Sequence, residues 1–357
     1  MNFGVPRLVV SVSEKDEGCP SVSIIIVNFN GKELLKSCLK SLLTTNYPNF
    51  EIIVVDNAST DGSVDSIEKL FASYPYIKIV ENRKNLGHAE GCNVGARVAE
   101  GRFLVFLDSD TESGAEDWLL ELVKVLKNDE SVGVAQAKLV LANNKRRLDY
   151  VCTAIDALGT WDANYGLKED ELKENLEILA ASSGCCMVGR EVFNEVGGFD
   201  PDYFIYDDDT DLSLRARLLG YKILLVPSAV IVHRGGVLRG INQGTVYHSA
   251  KNRMRTMLKN YELKNLWWRV LVLSFLMFTV SFGFLVLEKL HEAKATLKGL
   301  LSSVTDFRKI WTKRSLIQFR RRVRDAELMS KGLIRNDARS TLQDLRLKLR
   351  YMSAEHK

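Results

Sequence analysis

Three stretches in the first third of this chain are apolar at almost every position, the first two of them β-branched as well: Val22–Val27 (VSIIIV), Ile52–Val55 (IIVV) and Phe103–Leu107 (FLVFL). A strand with one wet face alternates apolar and polar side chains, so a strand without alternation has to be covered on both faces. Between these runs, Lys32–Leu43, Val64–Phe71 and Ala89–Ala99 carry their apolar residues at helical spacing, and Ile77–Val80 reads as a further strand. Buried strands alternating with amphipathic helices define an α/β fold: a mostly parallel, Rossmann-like sheet flanked by helices. The pattern continues with a helix at Trp118–Leu126 and a strand at Val132–Val140. Residues 142–175 read as an insertion, followed by regular signals at Ile178–Val188, helices at Arg190–Val196 and Leu212–Leu219, and short strands at Ile223–Val226 and Val230–Val232.

In an open sheet of this kind, ligands sit outside the carboxyl ends of the strands. Polar motifs stand at those ends: Asn28-Phe29-Asn30, then VDNASTDGS beginning with Asp56, then NLGHAEGCN from Asn85 through Gly87 to Asn93, and LDSDT with Asp108 and Asp110. In an extended segment, residues two apart point the same way, so Asp108 and Asp110 suit a hard divalent cation, Mg2+ or Mn2+, that also ligates a diphosphate. Asp56 suits hydrogen bonds from a base or ribose; alternatively it starts the loop as an Asx-turn residue. There is no G-x-x-x-x-G-K-[ST] and no G-x-G-x-x-G after a strand, which excludes a P-loop and weakens a dehydrogenase reading. The six cysteines form no C-x-x-C pair, which argues against a zinc site; with no secretion signal they fit a reducing compartment.

The stretch FIYDDDTDL packs Asp207, Asp208, Asp209 and Asp211 into five positions. Like charges so close raise one another's pKa. An EF-hand loop needs Gly at its sixth position and Glu at its twelfth, where this chain has Leu212 and Leu218, so calcium is rejected. Helix capping accounts for one or two acids, at about 0.3–1 kcal/mol each, but not four. A carboxylate of raised pKa beside a metal-bound diphosphate suits a general base that deprotonates an acceptor hydroxyl.

Taken in order, VNFN, VDNASTDGS, NLGHAEGCNVGA, LDSDT, SSGCCMVGREVFNEVGGFD and FIYDDDTDLSLRARLLGYKILLVPSAVIVH resemble glycosyltransferase family 2, in its rhamnosyltransferase-like branch, from Ser21 to Tyr261. The resemblance implies a GT-A fold, a nucleotide-diphosphate sugar donor, a divalent metal and inversion at the anomeric carbon. It implies donor contacts from Asn28, Asn30, Asp56, Asn85, Gly87, Asn93 and Asp108, with Asp56 recognising the base. It further implies metal ligation by Asp110 and Asp108 with His233, catalysis by the Asp208-Asp209 pair with Asp209 as the base, and an acceptor turn at Gly198, Phe199 and Asp200. Asp208 stands where the family usually has Glu, Asp207 where Gly is common, and His88 where an aromatic is frequent; these departures bear on acceptor preference more than on chemistry. Two other classes compete: a membrane-tethered scaffold without catalysis, and a sugar nucleotidyltransferase, which needs a glycine-rich, Arg-containing loop where this chain has NFNGKE.

Val270–Leu287 holds no charge over eighteen residues and follows Trp267, Trp268 and Arg269. As a helix it is about 27 Å long, near the bilayer's roughly 30 Å core, so it reads as membrane-associated, spanning or lying in plane. From Glu288 onward there are 18 Lys and Arg against 8 Asp and Glu, and before it 31 against 37. An acidic body with a basic tail suggests an anionic partner, with Arg320–Arg322 on a membrane surface. Nucleic acid is not expected, because the tail offers few aromatic platforms. The expected organisation is a leader (1–20), a GT-A domain (21–262), a hydrophobic membrane-associated helix (263–290) and a basic helical tail (291–357). The expected setting is the cell membrane, with the catalytic domain on the cytoplasmic side and a glycan or lipid-linked acceptor.

Overall fold

The computed structural model describes residues 19–156, 161–163, 171–234 and 242–335. Most of the expected leader and positions 336–357 of the expected tail lie outside the described residues. In chain order the elements are β1 (Val22–Asn28), α1 (Lys32–Leu42), β2 (Phe50–Asp56), α2 (Ser63–Phe71), β3 (Ile77–Glu81), α3 (Gly87–Val98), β4 (Phe103–Asp108), β5 (Thr111–Ser113), α4 (Trp118–Asn128) and β6 (Val132–Leu141). Then come β7 (Asn144–Leu148), β8 (Cys152–Ile155), β9 (Trp161–Ala163), β10 (Leu176–Glu177), β11 (Cys185–Gly189), α5 (Arg190–Val196), α6 (Asp208–Leu218) and β12 (Lys222–His233). The chain continues through α7 (Gln243–Asn260), α8 (Leu263–Val286), α9 (Leu290–Thr305), α10 (Phe307–Arg320) and α11 (Asp325–Ser330).

The main sheet runs β10-β12-β6-β11-β4-β1-β2-β3, with β5 added to β12 and β7 to β6. The apolar runs pair as expected: β1 is parallel to β2 and β4, and β2 to β3. β11 is an antiparallel wedge between β4 and β6. Both faces are dry. Leu35, Leu39, Trp118 and Leu122 cover one, and Ala89, Cys92, Phe193 and Leu212 the other. The parallel register sets Asn28 opposite Asp56 and Asp56 opposite Glu81, with Asp108 beside Val27. The strand-end motifs therefore come level along one edge. The six cysteines are free thiols, five of them buried.

Two elements differ from the sequence reading. The expected pair of short strands is one strand, β12, whose register shifts between Val226 and Val230. Pro227 lies in that gap and has no N–H to give to a ladder, which is why the pattern looked broken. Helix α6 begins at Asp208 rather than Leu212, so Asp208, Asp209 and Asp211 occupy its first turn, where the helix dipole favours negative charge.

The C-terminal helices fold back on the body, α7 against α9 and α10, and α8 against α9. Their cations meet the chain's own acids. Lys313 lies 2.5 Å from Asp200 and 2.7 Å from Asp202, Lys309 also pairs with Asp202, and Arg322 lies 3.0 Å from Glu195. Arg321 pairs with Asp325. The placement of Arg320–Arg322 on an anionic surface is thus corrected for Arg321, whose guanidinium is buried against Asp325, while Arg322 pairs with Glu195 and stays largely exposed. Helix α8 buries one stripe, Leu266, Arg269, Leu273, Met277 and Ser281, and leaves Trp267, Leu271, Phe275, Phe278 and Phe282 exposed.

Candidate active site

At the end of β1 the Asn28 amide donates to Asp56 Oδ1 at 2.9 Å and to Ser59 Oγ at 3.1 Å. Ser59 N donates to Asp56 Oδ2 at 2.8 Å, so Asp56 braces its own loop three residues on rather than through an Asx turn. Both Asp56 oxygens therefore already serve the loop, and the residue is buried. Asn30 adopts a left-handed backbone and accepts from Thr60 N at 2.8 Å. At the start of α3, Asn85 Oδ1 accepts from Gly87 N at 2.8 Å. Gly87 has φ of 81°, and a Cβ there would lie 2.4 Å from the Phe204 carbonyl oxygen, so only glycine fits this junction. Further along α3, the Asn93 amide donates to Phe199 O and accepts from Phe199 N, each at 3.0 Å.

Asp108 and Asp110 leave the end of β4, and His233 ends β12. One ligand atom from each lies within 4.8 Å of the others. His233 Nε2 is 3.2 Å from Asp110 Oδ1, while its Nδ1 is bonded to Asp149. A carboxylate on the far nitrogen fixes the imidazole so that Nε2 faces the ligand position. Burial works against charge on His233, but Asp110 and Asp149 outweigh it and push its pKa up to about 10. Two carboxylates and an imidazole in this arrangement fit a divalent cation such as Mn2+.

The aspartate cluster divides by environment. Asp211 is fully buried and bonded to Arg215 at 2.8 Å, Tyr203 at 3.1 Å, Lys259 at 2.8 Å and Asn260 at 3.0 Å. Asp208 is buried, with its Oδ2 2.7 Å from His88 Nδ1. Asp209 accepts from Ser183 N at 3.1 Å and Thr210 N at 2.7 Å. Burial first, and then the charges of Asp208 and Asp207, raise Asp209 to about 7 against those two hydrogen bonds. The approach to α6 is strained, with Phe204, Tyr206 and Asp207 all at positive φ. The Asn252 amide on α7 holds it, donating to the carbonyls of Tyr203, Ile205 and Tyr206 at 3.1, 2.8 and 2.8 Å.

One cleft of about 760 Å³ brings together Asn30, Asn85, Gly87, Asp108, Asp110 and the whole run Asp207–Thr210. Asn28, Asp56 and His233 lie outside its lining but bond to or border residues that line it, whereas Asn93 lies outside it and bonds to Glu90 and Phe199, which do not line it. Gly198, Phe199 and Asp200 do not line it either. Phe199 is buried edge-on to His88 at 6.1 Å between ring centroids, and Asp200 is buried between Lys259 and Lys313.

Asp149 was missed because it lies inside the polar stretch read as an insertion. His88 stood out only as a departure from a motif, yet it bridges Asp208 and, at 3.5 Å, Asp108. Asn252 and Arg253 sit on a helix whose sequence carries no motif. The signal available was only that α7 carries four Lys and Arg and no acid.

A mixed, mostly parallel sheet with aspartates from separate segments gathered at its strand ends is the GT-A architecture of nucleotide-sugar transferases. GalNAc-T7, solved with UDP, GalNAc and Mn2+, superposes with a TM-score of 0.59 at 22% identity over 70% of this chain and 49% of that one. The mannosyltransferase PcManGT from Pyrobaculum calidifontis, solved with GDP-Man and Mn2+, gives 0.52 at 19% identity over 85% and 86%. Residues 23–197 match the Glycosyl transferase family 2 profile, and the chain belongs to that family. Among curated relatives, the O-antigen biosynthesis protein RfbC of Myxococcus xanthus is 27% identical over 62% of this chain and 18% of its own length. The uncharacterized protein y4gI of Sinorhizobium fredii is 29% identical over 63% and 25%. The chain thus spans a quarter or less of the length of these two relatives.

Proposed function

We propose that this chain transfers a sugar from a nucleotide-diphosphate donor to a hydroxyl of a glycan or lipid-linked acceptor, by a single displacement with inversion. The observation that carries this reading is the sharing of one cleft by Asp108 and Asp110 with Asp209. Asp110, Asp108 and His233 would hold a divalent cation, Mg2+ or Mn2+, which supplies charge neutralisation of the leaving diphosphate. Asp209, poised near neutral pH, takes the proton of the acceptor hydroxyl. Asp208, fixed by His88, keeps that region of the cleft electronegative. Asn30, Asn85 and Gly87 border the donor. Asp56 supports them through Ser59 and retains a second lone pair on each oxygen for a base N–H. Asn93, Gly198, Phe199 and Asp200 form the wall behind the acceptor side.

Helix α8 supports membrane association in plane rather than across the bilayer. Its buried stripe, Arg269 included, is packed lengthwise on the body, while the opposite face presents aromatic and aliphatic side chains. The test of function is a panel of nucleotide sugars with Mn2+, reading free nucleoside diphosphate and the anomeric configuration of any product. Consumption of one donor with inverted product is expected. Release of pyrophosphate from a nucleoside triphosphate and a sugar phosphate would favour a nucleotidyltransferase instead.

A further inference from the structure

Helix α7 carries cations that are nearly all accounted for. Arg255 pairs with Asp202 and Asp306, Lys259 with Asp200 and Asp211, and Lys251 lies over the Tyr247 ring. Arg253 is the exception: it makes no hydrogen bond or ion pair among the described residues, and its Nε is buried without a partner. It also lines the active-site cleft, where the other charged side chains are His88 and five aspartates. The planar guanidinium at the rim of the cleft is suited to bidentate capture of a phosphate.

Arg253 and Ser249 line a second space as well. This groove, of about 310 Å³, runs between Val246 and Ala250 of α7 and Leu276, Val280 and Phe284 of α8. Apart from its Arg253 end it is walled mainly by hydrocarbon, and it opens on α8, whose neighbouring Phe278, Phe282 and Val286 are exposed. The catalytic cleft and the apolar groove share Ser249 and Arg253 in their walls, and the exposed apolar face of α8 lies beside the groove, which marks a path from the cleft to that face. We infer that this path is the seat of a lipid-linked phosphate acceptor, with Arg253 gripping the phosphate and the groove taking the first part of the chain. The inference rests on the glycosyl-transfer reading for its meaning, and it narrows the acceptor to a sugar hydroxyl carried on a lipid phosphate or diphosphate that stays in contact with the bilayer through α8.

The experiment is calorimetric titration of the full chain with inorganic phosphate, octyl phosphate and decyl phosphate, beside UDP and GDP with Mn2+. Alkyl phosphate affinity is expected to rise about fourfold per added methylene. Arg253→Gln should weaken decyl phosphate by about 10- to 100-fold while leaving nucleotide affinity within about twofold. Val280→Trp, at a position that is 38% exposed and so tolerant of bulk, should weaken decyl phosphate and leave nucleotide binding alone. Arg253→Gln lowering nucleotide affinity as much as alkyl phosphate affinity would assign the guanidinium to the donor and overturn the inference. So would affinity independent of chain length, or indifference to Val280→Trp. The parent reading is separated by donor turnover. Alkyl phosphate binding with these dependences but no nucleotide sugar consumed sustains the site and refutes glycosyl transfer; turnover without alkyl phosphate binding refutes the site alone.

Discussion

The imidazole of His88 meets the carboxylate of Asp208 at 2.7 Å across 120 residues of chain, tying the start of α3 to the first turn of α6. The same ring reaches Asp108 at 3.5 Å. Burial opposes its charge, but Cys92, Asp208 and Asp108 around it outweigh that and hold its pKa well above the ordinary value. A cation between two acids gives the buried Asp208 a partner beside Asp209. Removing it leaves a buried carboxylate unpaired, so His88→Ala should destabilise the protein by about 3–5 kcal/mol in urea unfolding. His88→Gln, which keeps a hydrogen bond without the charge, should recover part of that loss.

As the proposed base, Asp209 should set the pH dependence of turnover. Its carboxyl is raised to about 7, and the base form is the deprotonated one, so kcat/KM should rise with pH through about 7 and level off above it. Asp209→Asn should lower kcat by about 10²–10⁴ with donor binding nearly unchanged. Equal loss of donor affinity and turnover would place Asp209 in binding rather than in proton transfer. His88→Gln bears on the same limb: loss of the cation next to Asp208 strengthens the repulsion felt by Asp209 and should shift the profile toward higher pH.

Asp149 tests the metal centre from behind. It bonds the Nδ1 of His233 and so orients Nε2 toward Asp110. Asp149→Ala should weaken Mn2+ affinity by about 10- to 100-fold without removing a ligand. Asp110→Ala should abolish Mn2+-dependent nucleotide binding, and EDTA should do the same to the unmodified chain. Titration of Mn2+ and of UDP or GDP, separately and together, reads all three.

The sheet was legible because buried parallel strands leave an unmistakable run of apolar residues, and β1, β2 and β4 fall where those runs predict. Asp108, Asp110 and Asp209 were legible because strand ends and a crowded acidic turn concentrate chemistry locally. What stayed hidden depends on long-range pairing. Asp149 acts only through His233, 84 residues away, and Asn252 only through three carbonyls of a distant loop. The basic tail misled for the same reason: its net charge is visible in the sequence, but that Lys313 and Arg322 face Asp200 and Glu195 is a property of the folded chain.

Asn252 is the test of whether the strained acidic loop is held or self-supporting. Three residues at positive φ between Phe204 and Asp207 cost of order 1–3 kcal/mol each where a side chain is present. The Asn252 amide alone donates to three carbonyls of Tyr203–Tyr206, and no water-facing group can replace it because the residue is fully buried. Asn252→Leu keeps the volume and removes the donor. It should lower stability by about 1–3 kcal/mol and, by letting Asp207–Asp209 drift from the cleft, cut kcat more than donor affinity. Hydrogen exchange of the amides from Phe204 to Thr210 should accelerate in the variant while β1, β2 and β4 stay protected. Uniform acceleration across the sheet would mean that Asn252 supports the core at large and that the loop keeps its shape without it.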